Sequence, residues 1–322
     1  MSNRKGIRLG VVYVGDANYH DMTLFSLASI ARYHKASLDF HFMQDGYSRD
    51  FKTAFVRFVE ARGHRLARSR IAFEAVSGER AEERSRYTHI TNTTFLRAQA
   101  LDALVANYDY ILYADGDILA FDDFHLEAAA GFDELCAAGF DLSIATGLDR
   151  PEIFANCQKN GVSSDFFNAG LLLVNAAKWQ ATHATDRYVN SLRRHNICCP
   201  YFHVCNPNDQ CALNMMVAGD WRRLPQSWNV QKSAMHTSVW ATATIRHYTG
   251  RRKFLPIRRR TCDPREHALL QTLSREAGLP EWNGLYDFGV SYWLNKVRRL
   301  GYVSKIEHAL GELDRRKVVN LG

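Results

Sequence analysis

The run Tyr110–Ala114, read Tyr-Ile-Leu-Tyr-Ala, constrains this chain more than any other stretch, because it stops abruptly in Asp115-Gly116-Asp117. It is apolar and aromatic-rich with no helical stripe, the pattern of a strand buried on both faces. In an extended chain residues i and i+2 point the same way, so both carboxylates leave the strand on one side. Gly116 between them adds no side chain and lets backbone or ligand come close. Two carboxylates this near each other repel unless a cation sits between them or one keeps its proton. A hard divalent ion with oxygen ligands, Mg²⁺ or Mn²⁺, resolves the conflict and leaves positions open for phosphate oxygens. The competing reading is a solvated acidic turn. A bare Asp-x-Asp pair decides nothing, and what favours a site is its place at the carboxyl end of a buried strand.

The flanking patterns supply the sheet that such a strand needs. Residues 9–15 form a β-branched apolar run that ends in Gly-Asp-Ala-Asn-Tyr, a strand giving way to a loop. Residues 21–34 place Leu24, Leu27, Ala28 and Ala31 on one helical face, with Asp21 as the expected N-cap. Strands are expected over 38–43 and 71–76, with a helix over 51–61 between them. This alternation is the rhythm of a parallel sheet with crossover helices. Residues 77–86 read as a charged connector. Helices are expected over 94–105, 126–138, 178–195 and 208–217, and strands over 141–146 and 245–249; residues 166–175 are apolar and interrupted by Asn168-Ala169-Gly170. Residues 293–317 are amphipathic and basic: Trp293, Val297, Leu300 and Ile306 alternate with Lys296, Arg298, Arg299 and Lys305.

With 322 residues, 46% of them hydrophobic and 23% charged, the chain is ordinary globular material able to bury a core. Its formal charge of +7 favours polyanionic partners: nucleotides, phosphorylated glycans, nucleic acid or anionic membrane. Arg251, Arg252, Lys253, Arg258, Arg259 and Arg260 form one dense patch. The opening Met-Ser-Asn-Arg-Lys-Gly leads straight into a strand pattern without a cleavage-like region, and no apolar run reaches spanning length. Both features point to a cytoplasmic protein. Seven cysteines, none in a Cys-x-x-Cys pair, read as reduced thiols rather than a zinc or disulfide framework.

Five landmarks in this order make the chain resemble the family 8 glycosyltransferases. They are Asp-x-Asn-Tyr after the first strand, an Arg ahead of the acidic pair, Tyr-Ala-Asp-Gly-Asp, Phe-Asn-Ala-Gly with a later Asp-Gln, and His-x-x-Gly-x-x-Lys. These are retaining enzymes that use nucleotide sugars, among them bacterial lipopolysaccharide galactosyl- and glucosyltransferases and glycogenin. The resemblance spans residues 9–256. It implies an α/β fold of GT-A type, a Rossmann-like nucleotide-binding mixed sheet flanked by helices. A catalytic domain would occupy residues 7–256, and a basic helical extension residues 257–322.

The resemblance also implies roles. Asp16, Asn18 and Tyr19 would bind the uracil and ribose, and Arg97 would reach the donor sugar and the phosphate side. Asp115, Asp117 and His247 would hold the metal, expected to be Mn²⁺ with Mg²⁺ as the alternative. Gly116 and Gly250 would let backbone approach, and Lys253 would contact the pyrophosphate as a point charge. Where the family usually has Pro and Trp after that Lys, this chain has Phe254-Leu255-Pro256. Asn168, Ala169 and Gly170 would line the sugar pocket. Gln210 would face the anomeric carbon, with Asp209 beside it and Asp149 on the sugar hydroxyls.

The implied activity is transfer of a hexose, galactose or glucose, from a UDP-sugar to a glycan or lipid-linked acceptor with retention. Lipopolysaccharide or surface polysaccharide synthesis is the expected setting. The basic tail has two readings, a helix packed on the domain or an interfacial helix at the inner face of a membrane. Two other classes compete. Haloacid-dehalogenase-like phosphatases also carry Asp-Gly-Asp after a strand, but after their first one, and with Thr or Val where Leu119 stands. A nucleic-acid-binding protein would interleave its basic residues with aromatics, and residues 251–260 do not.

Overall fold

The computed structural model describes residues 6–71, 96–142, 151–201, 209–250, 253–254, 263–282, 297 and 300–315. Seven strands form the main sheet: β1 (Leu9–Gly15), β2 (Asp39–Asp45), β3 (Arg65–Ile71), β4 (Tyr110–Ala114), then, past a short strand β5 (Ile118–Ala120), β6 (Cys136–Phe140), β7 (Phe167–Asn175) and β8 (Trp221–Arg223). Their order across the sheet is β3-β2-β1-β4-β7-β6-β8. β1, β2, β3 and β4 run parallel, and β7 is antiparallel to both β4 and β6. The sheet is therefore mixed. A second sheet joins β5 to β10 (Ile245–His247) antiparallel, with β9 (Val230–Gln231) on the other side of β10.

The expected parallel start holds because β1 is buried along its whole length and can accept crossover helices on both faces. The helix His20–Tyr33 covers one face with Leu24, Phe25, Leu27, Ala28 and Ile30, all buried. Asp21 does not cap it. Tyr19 takes the N-cap position with no side-chain bond, and Asp21 lies in the first turn, where its charge still suits the helix dipole.

Two sequence expectations shift, and two others fall partly outside the described residues. The helix over 126–138 shrinks to Leu126–Ala129, and its second half is β6. Gly131, at φ +86°, stops the helix, and Cys-Ala-Ala-Gly-Phe is buried at every position beside β7. Burial overrides the helix preference of alanine there. Of the strand expected over 71–76 only Ile71 is described, and residues 72–95 fall outside the described set; β3, over Arg65–Ile71, is not among the expected strands. β3 reads Arg-Leu-Ala-Arg-Ser-Arg-Ile because it is an edge strand, where charged side chains discourage pairing with another chain. The helix over 178–195 is two helices, Ala176–Ala181 and Ala184–Ile197, broken at His183 with φ +49°. In the C-terminal stretch, the described helix is Leu300–Arg315, and residues 292–296 lie outside the described set.

One core unites both sheets. It runs from β1 and the helix His20–Tyr33 through β5 and β10 to Leu269, Leu270 and Leu273 of the helix Pro264–Glu276, and on to Ile306 and Leu310. Polar ties fix that C-terminal packing. Tyr248 Oη donates to Glu266 Oε2 at 2.9 Å, and Arg246 Nη1 donates to Asp263 Oδ2 at 2.6 Å. No helix among the described residues is long and apolar enough to cross a membrane.

Candidate active site

Asp115-Gly116-Asp117 is the bridge between the two sheets. The Asp115 amide continues the β4–β7 ladder by donating to the Gly170 carbonyl at 2.8 Å. Two residues later the Asp117 carbonyl accepts from the Tyr248 amide at 2.9 Å, in the second sheet. Three buried polar residues of the helix His20–Tyr33 brace the crossing. A Cβ on Gly116 would lie 2.3 Å from Thr23 Oγ1, itself bound to the Tyr19 carbonyl. Ser26 Oγ approaches the Asp115 carbonyl at 3.4 Å, and Ser29 Oγ accepts from the Ala120 amide at 2.9 Å. The close approach that Gly116 permits is thus a helix under the turn.

This crossing brings β10 onto the acidic pair. His247 Nε2 lies 3.2 Å from Asp117 Oδ1 and 3.7 Å from Asp115 Oδ2. The other ring nitrogen, Nδ1, faces Asn168 Oδ1 at 3.0 Å and Asn229 Oδ1 at 3.1 Å. Asn168 cannot be flipped. Its Oδ1 accepts from the Gly170 amide at 3.1 Å, and its Nδ2 donates to Asp141 Oδ2 at 3.0 Å. An oxygen therefore faces Nδ1, which must carry hydrogen, so Nε2 is the nitrogen turned to the carboxylates. Such an arrangement needs a positive charge between Nε2 and the two carboxylates, either a proton or a metal ion. Asp115, Asp117 and His247 could hold such an ion, with one donor atom of each within 4.8 Å of the others.

Lys253 adds charge from the far side by pairing with Asp117 Oδ2. Burial alone would raise the Asp117 carboxyl, but Lys253 and His247 outweigh it and hold the group well below the carboxylate range. Lys253 itself is raised, because Asp117 more than offsets the cost of its burial. Gly250, three residues earlier, adopts φ +79°, so the turn that carries Lys253 requires a residue tolerant of left-handed backbone.

Gly170 makes room for the cluster. A Cβ there would stand 2.1 Å from His247 Cε1 and 2.7 Å from Asp115 Oδ2. If this cluster holds a divalent ion, Gly170→Ala is expected to weaken its affinity by about 10–100-fold, the scale of losing the shell that orients a ligand. A Mn²⁺ titration read by electron paramagnetic resonance checks this, and unchanged affinity would show that His247 is no ligand.

Arg97 is almost fully buried at the start of the helix Arg97–Asp102. Its Nη2 pairs with Asp209 Oδ2 at 2.8 Å and lies 3.7 Å from Asp115 Oδ1, while Nη1 donates to the Ala169 carbonyl. The guanidinium stacks over the Tyr113 ring at 4.5 Å, and Tyr113 Oη donates to Asp115 Oδ1 at 2.9 Å. Burial lowers the Arg97 pKa, but Asp209 and its other anionic neighbours reverse this and hold it charged. Burial raises Asp209 against the pull of Arg97.

Gln210 follows Asp209 at the N-terminus of the helix Asp209–Val217. Its Oε1 accepts from the Ala169 amide at 3.0 Å and from Asn168 Nδ2 at 3.2 Å, and its Nε2 donates to Asp141 Oδ2 at 2.9 Å. Asp141 and Asn229 are the residues that the sequence did not single out. Asp141 clamps both amides, and Asn229 shares the Nδ1 side of His247. Asp141 opened an expected strand, of which only Asp141 and Leu142 are described and neither is in a strand, and Asn229 had no local signal at all.

The acidic pair, His247, Lys253, Arg97, Asp209 and Gln210 all border one open cavity, with Asp141 and Asn229 standing behind its lining. Asp16 and Tyr19 border it from the end of β1; Asp16 Oδ1 also accepts from the Asn18 and Tyr19 amides at 2.8 and 3.1 Å. Asn18 is exposed and is not among the lining residues. Arg97, Asp115, Gly116, Asp117, Asn168, Ala169, Gly170, Asp209, Gln210, His247, Gly250 and Lys253 all border it. Asp149 lies outside the described residues.

Comparison with known proteins gives a family and a fold. A family model described as Glycosyl transferase family 8 matches residues 10–254. The chain is 24% identical over 212 residues to the lipopolysaccharide glucosyltransferase WaaO of Escherichia coli (strain K12). That alignment covers 65% of this chain and 59% of WaaO, so the chain spans less than two thirds of this curated relative's length. The galactosyltransferase LgtC, solved in complex with donor and acceptor sugar analogs, has the same fold, with a TM-score of 0.64 at 20% identity over 89% of this chain and 99% of that one. An active-site mutant of LgtC aligns with a TM-score of 0.61 at 22% identity, over 76% of this chain and 89% of its own.

Proposed function

The chain belongs to glycosyltransferase family 8, and from that membership we propose that it is a retaining, metal-dependent hexosyltransferase that uses a UDP-sugar. The hexose is galactose or glucose, and the acceptor is a hydroxyl of a glycan or lipid-linked saccharide in lipopolysaccharide or surface polysaccharide synthesis. WaaO is named as a lipopolysaccharide glucosyltransferase and LgtC as a galactosyltransferase, and both readings draw on those names. The observation that carries the proposal is the fixed orientation of His247 toward Asp115 and Asp117 at the floor of the cavity.

The donor set fits Mn²⁺: two carboxylates suit a hard divalent ion, and an imidazole tips the preference away from Mg²⁺. Bound there, such an ion would supply Lewis acidity to the diphosphate of the departing UDP. The chain's own residues do the rest. Lys253 presents a second positive charge beside Asp117, where the diphosphate would lie, and stabilises the charge of the leaving group. Tyr19, at the rim on the β1 side, offers its ring to the uracil, and Asp16 holds the loop that presents it. Asn168, Ala169 and Gly170 shape the sugar pocket.

Gln210 is positioned rather than free to attack. Two donors already occupy its amide oxygen, and Asp141 holds its nitrogen. This supports same-face, substrate-assisted displacement, in which Gln210 orients and stabilises an oxocarbenium-like sugar. A carboxylate nucleophile of the retaining-hydrolase kind is not needed. Gln210→Ala leaving turnover intact would remove this role. In the helix Leu300–Arg315, Ile306 and Leu310 are spent on the core, so peripheral contact with a membrane rests on the basic charge of the tail. The phosphatase and nucleic-acid readings gain nothing from this geometry.

Calorimetric titration of UDP with Mn²⁺ and with EDTA tests the proposal. Binding is expected only in Mn²⁺, and a screen of UDP-sugars for slow hydrolysis then names the hexose. Equal UDP binding in EDTA would break the link between the acidic pair and the donor.

A further inference from the structure

Behind the helix that carries Asp209 and Gln210 lies a second cluster of metal-ligating side chains. His195 ends the helix Ala184–Ile197, Cys199 follows it, and Cys211 sits in the first turn of the helix Asp209–Val217. One donor atom of each lies within 4.8 Å of the others, and His195 and Cys211 are buried. Cys157 adds a further thiol to the same apolar cluster, with its Sγ 3.7 Å from the Pro200 carbonyl, one residue beyond Cys199.

Cysteines alone would explain themselves as small apolar side chains packed with Phe166, Tyr201 and Met215. The buried imidazole of His195 adds a nitrogen donor to the same cluster. The donor chemistry is also specific. Two soft thiolates and one borderline imidazole nitrogen suit zinc better than the oxygen-seeking ions favoured by Asp115 and Asp117. Around a tetrahedral zinc, with bonds of about 2.3 Å to sulfur and 2.0–2.1 Å to nitrogen, donors sit about 3.5–3.8 Å apart. A bound zinc would require the donors, which lie within 4.8 Å of one another, to close by side-chain rotation.

We propose that His195, Cys199 and Cys211 form a structural zinc site, with Cys157 or water completing the tetrahedron. It staples the end of one helix to the first turn of the next, across the connection 198–208. Cys211 is adjacent to Gln210, so the staple also fixes the turn that holds Asp209 and Gln210 against Arg97 and Asp141. Its role is to hold that helix end in place, and it takes no part in sugar transfer.

Co²⁺ titrated alone into the full-length chain, after removal of bound metal, provides the test. The wild-type protein is expected to develop the sulfur-to-cobalt absorption and strong visible bands of a tetrahedral thiolate site, saturating at one equivalent. Asp117→Asn keeps these bands, because oxygen ligands at the donor site cannot produce them. Cys199→Ser and Cys211→Ser lose them while keeping native far-ultraviolet circular dichroism. In the wild-type chain a strong chelator should raise the rate of Cys211 alkylation and lower the melting temperature, a readout that needs no variant to fold. Absence of the sulfur band in the wild type, its survival in Cys211→Ser, or an intact mass showing a Cys199–Cys211 disulfide overturns the proposal.

Discussion

Asp117→Asn is expected to cut hexose transfer by about 10³-fold or more and to abolish Mn²⁺-dependent UDP binding, while the chain melts within a few degrees of the wild type. The magnitude follows from the several kcal/mol that a Lewis-acidic ion contributes in such sites, at about 1.4 kcal/mol per tenfold in rate. Asp117 is the most committed group of the cluster: it is 5% exposed, and it meets both His247 and Lys253. An amide of the same shape can accept from one of them but cannot balance the charge of either. Stability should change little because Lys253 borders the open cavity and can turn to water. Asp115→Asn should cost less in metal affinity, since Arg97 and Tyr113 already share its charge. Metal affinities from Mn²⁺ titration, set beside initial rates, separate the two variants. If Asp117→Asn keeps metal-dependent UDP binding, the acidic pair is not the metal centre.

How far the site could be read from sequence depends on whether its logic is local. β4 and the acidic pair were legible because a doubly buried strand and the i, i+2 geometry both sit within eight residues. β1, β2 and the helix between them were legible for the same reason. What the sequence hid is long-range. Nothing in residues 110–120 says that the chain leaves one sheet at Asp115 and enters another at Ile118. Yet that crossing is what sets His247 beside the pair. His247 was found by its likeness to a family motif, since an isolated histidine has no local signature. Asp141 and Asn229 escaped entirely, because each acts by orienting another side chain across the sheet. The misread elements have local causes. Cys136–Phe140 is alanine-rich and looks helical until its neighbours bury it, and the break at His183 carries neither Gly nor Pro.

Arg97 decides how much of the pocket is scaffold and how much is contact. Arg97→Met is expected to destabilise the protein by about 3–5 kcal/mol, because it leaves the buried Asp209 carboxylate without its partner. In a chain of this size that is a fall in melting temperature on the order of 10 °C. The double variant Arg97→Met with Asp209→Leu removes both charges and should recover most of the loss, since apolar replacements of buried pairs are often tolerated. The two variants then answer a functional question through UDP affinity, because Asp209 is proposed to face the sugar rather than the UDP. The guanidinium already meets Asp209, the Ala169 carbonyl and the Tyr113 ring, so we expect Arg97 to act through the wall of the pocket. On that account UDP binding in Mn²⁺ returns with stability in the double variant. Recovery of the fold without recovery of UDP binding would instead place the Arg97 guanidinium on the diphosphate itself, as an Arg lining the cavity beside Asp115 could be.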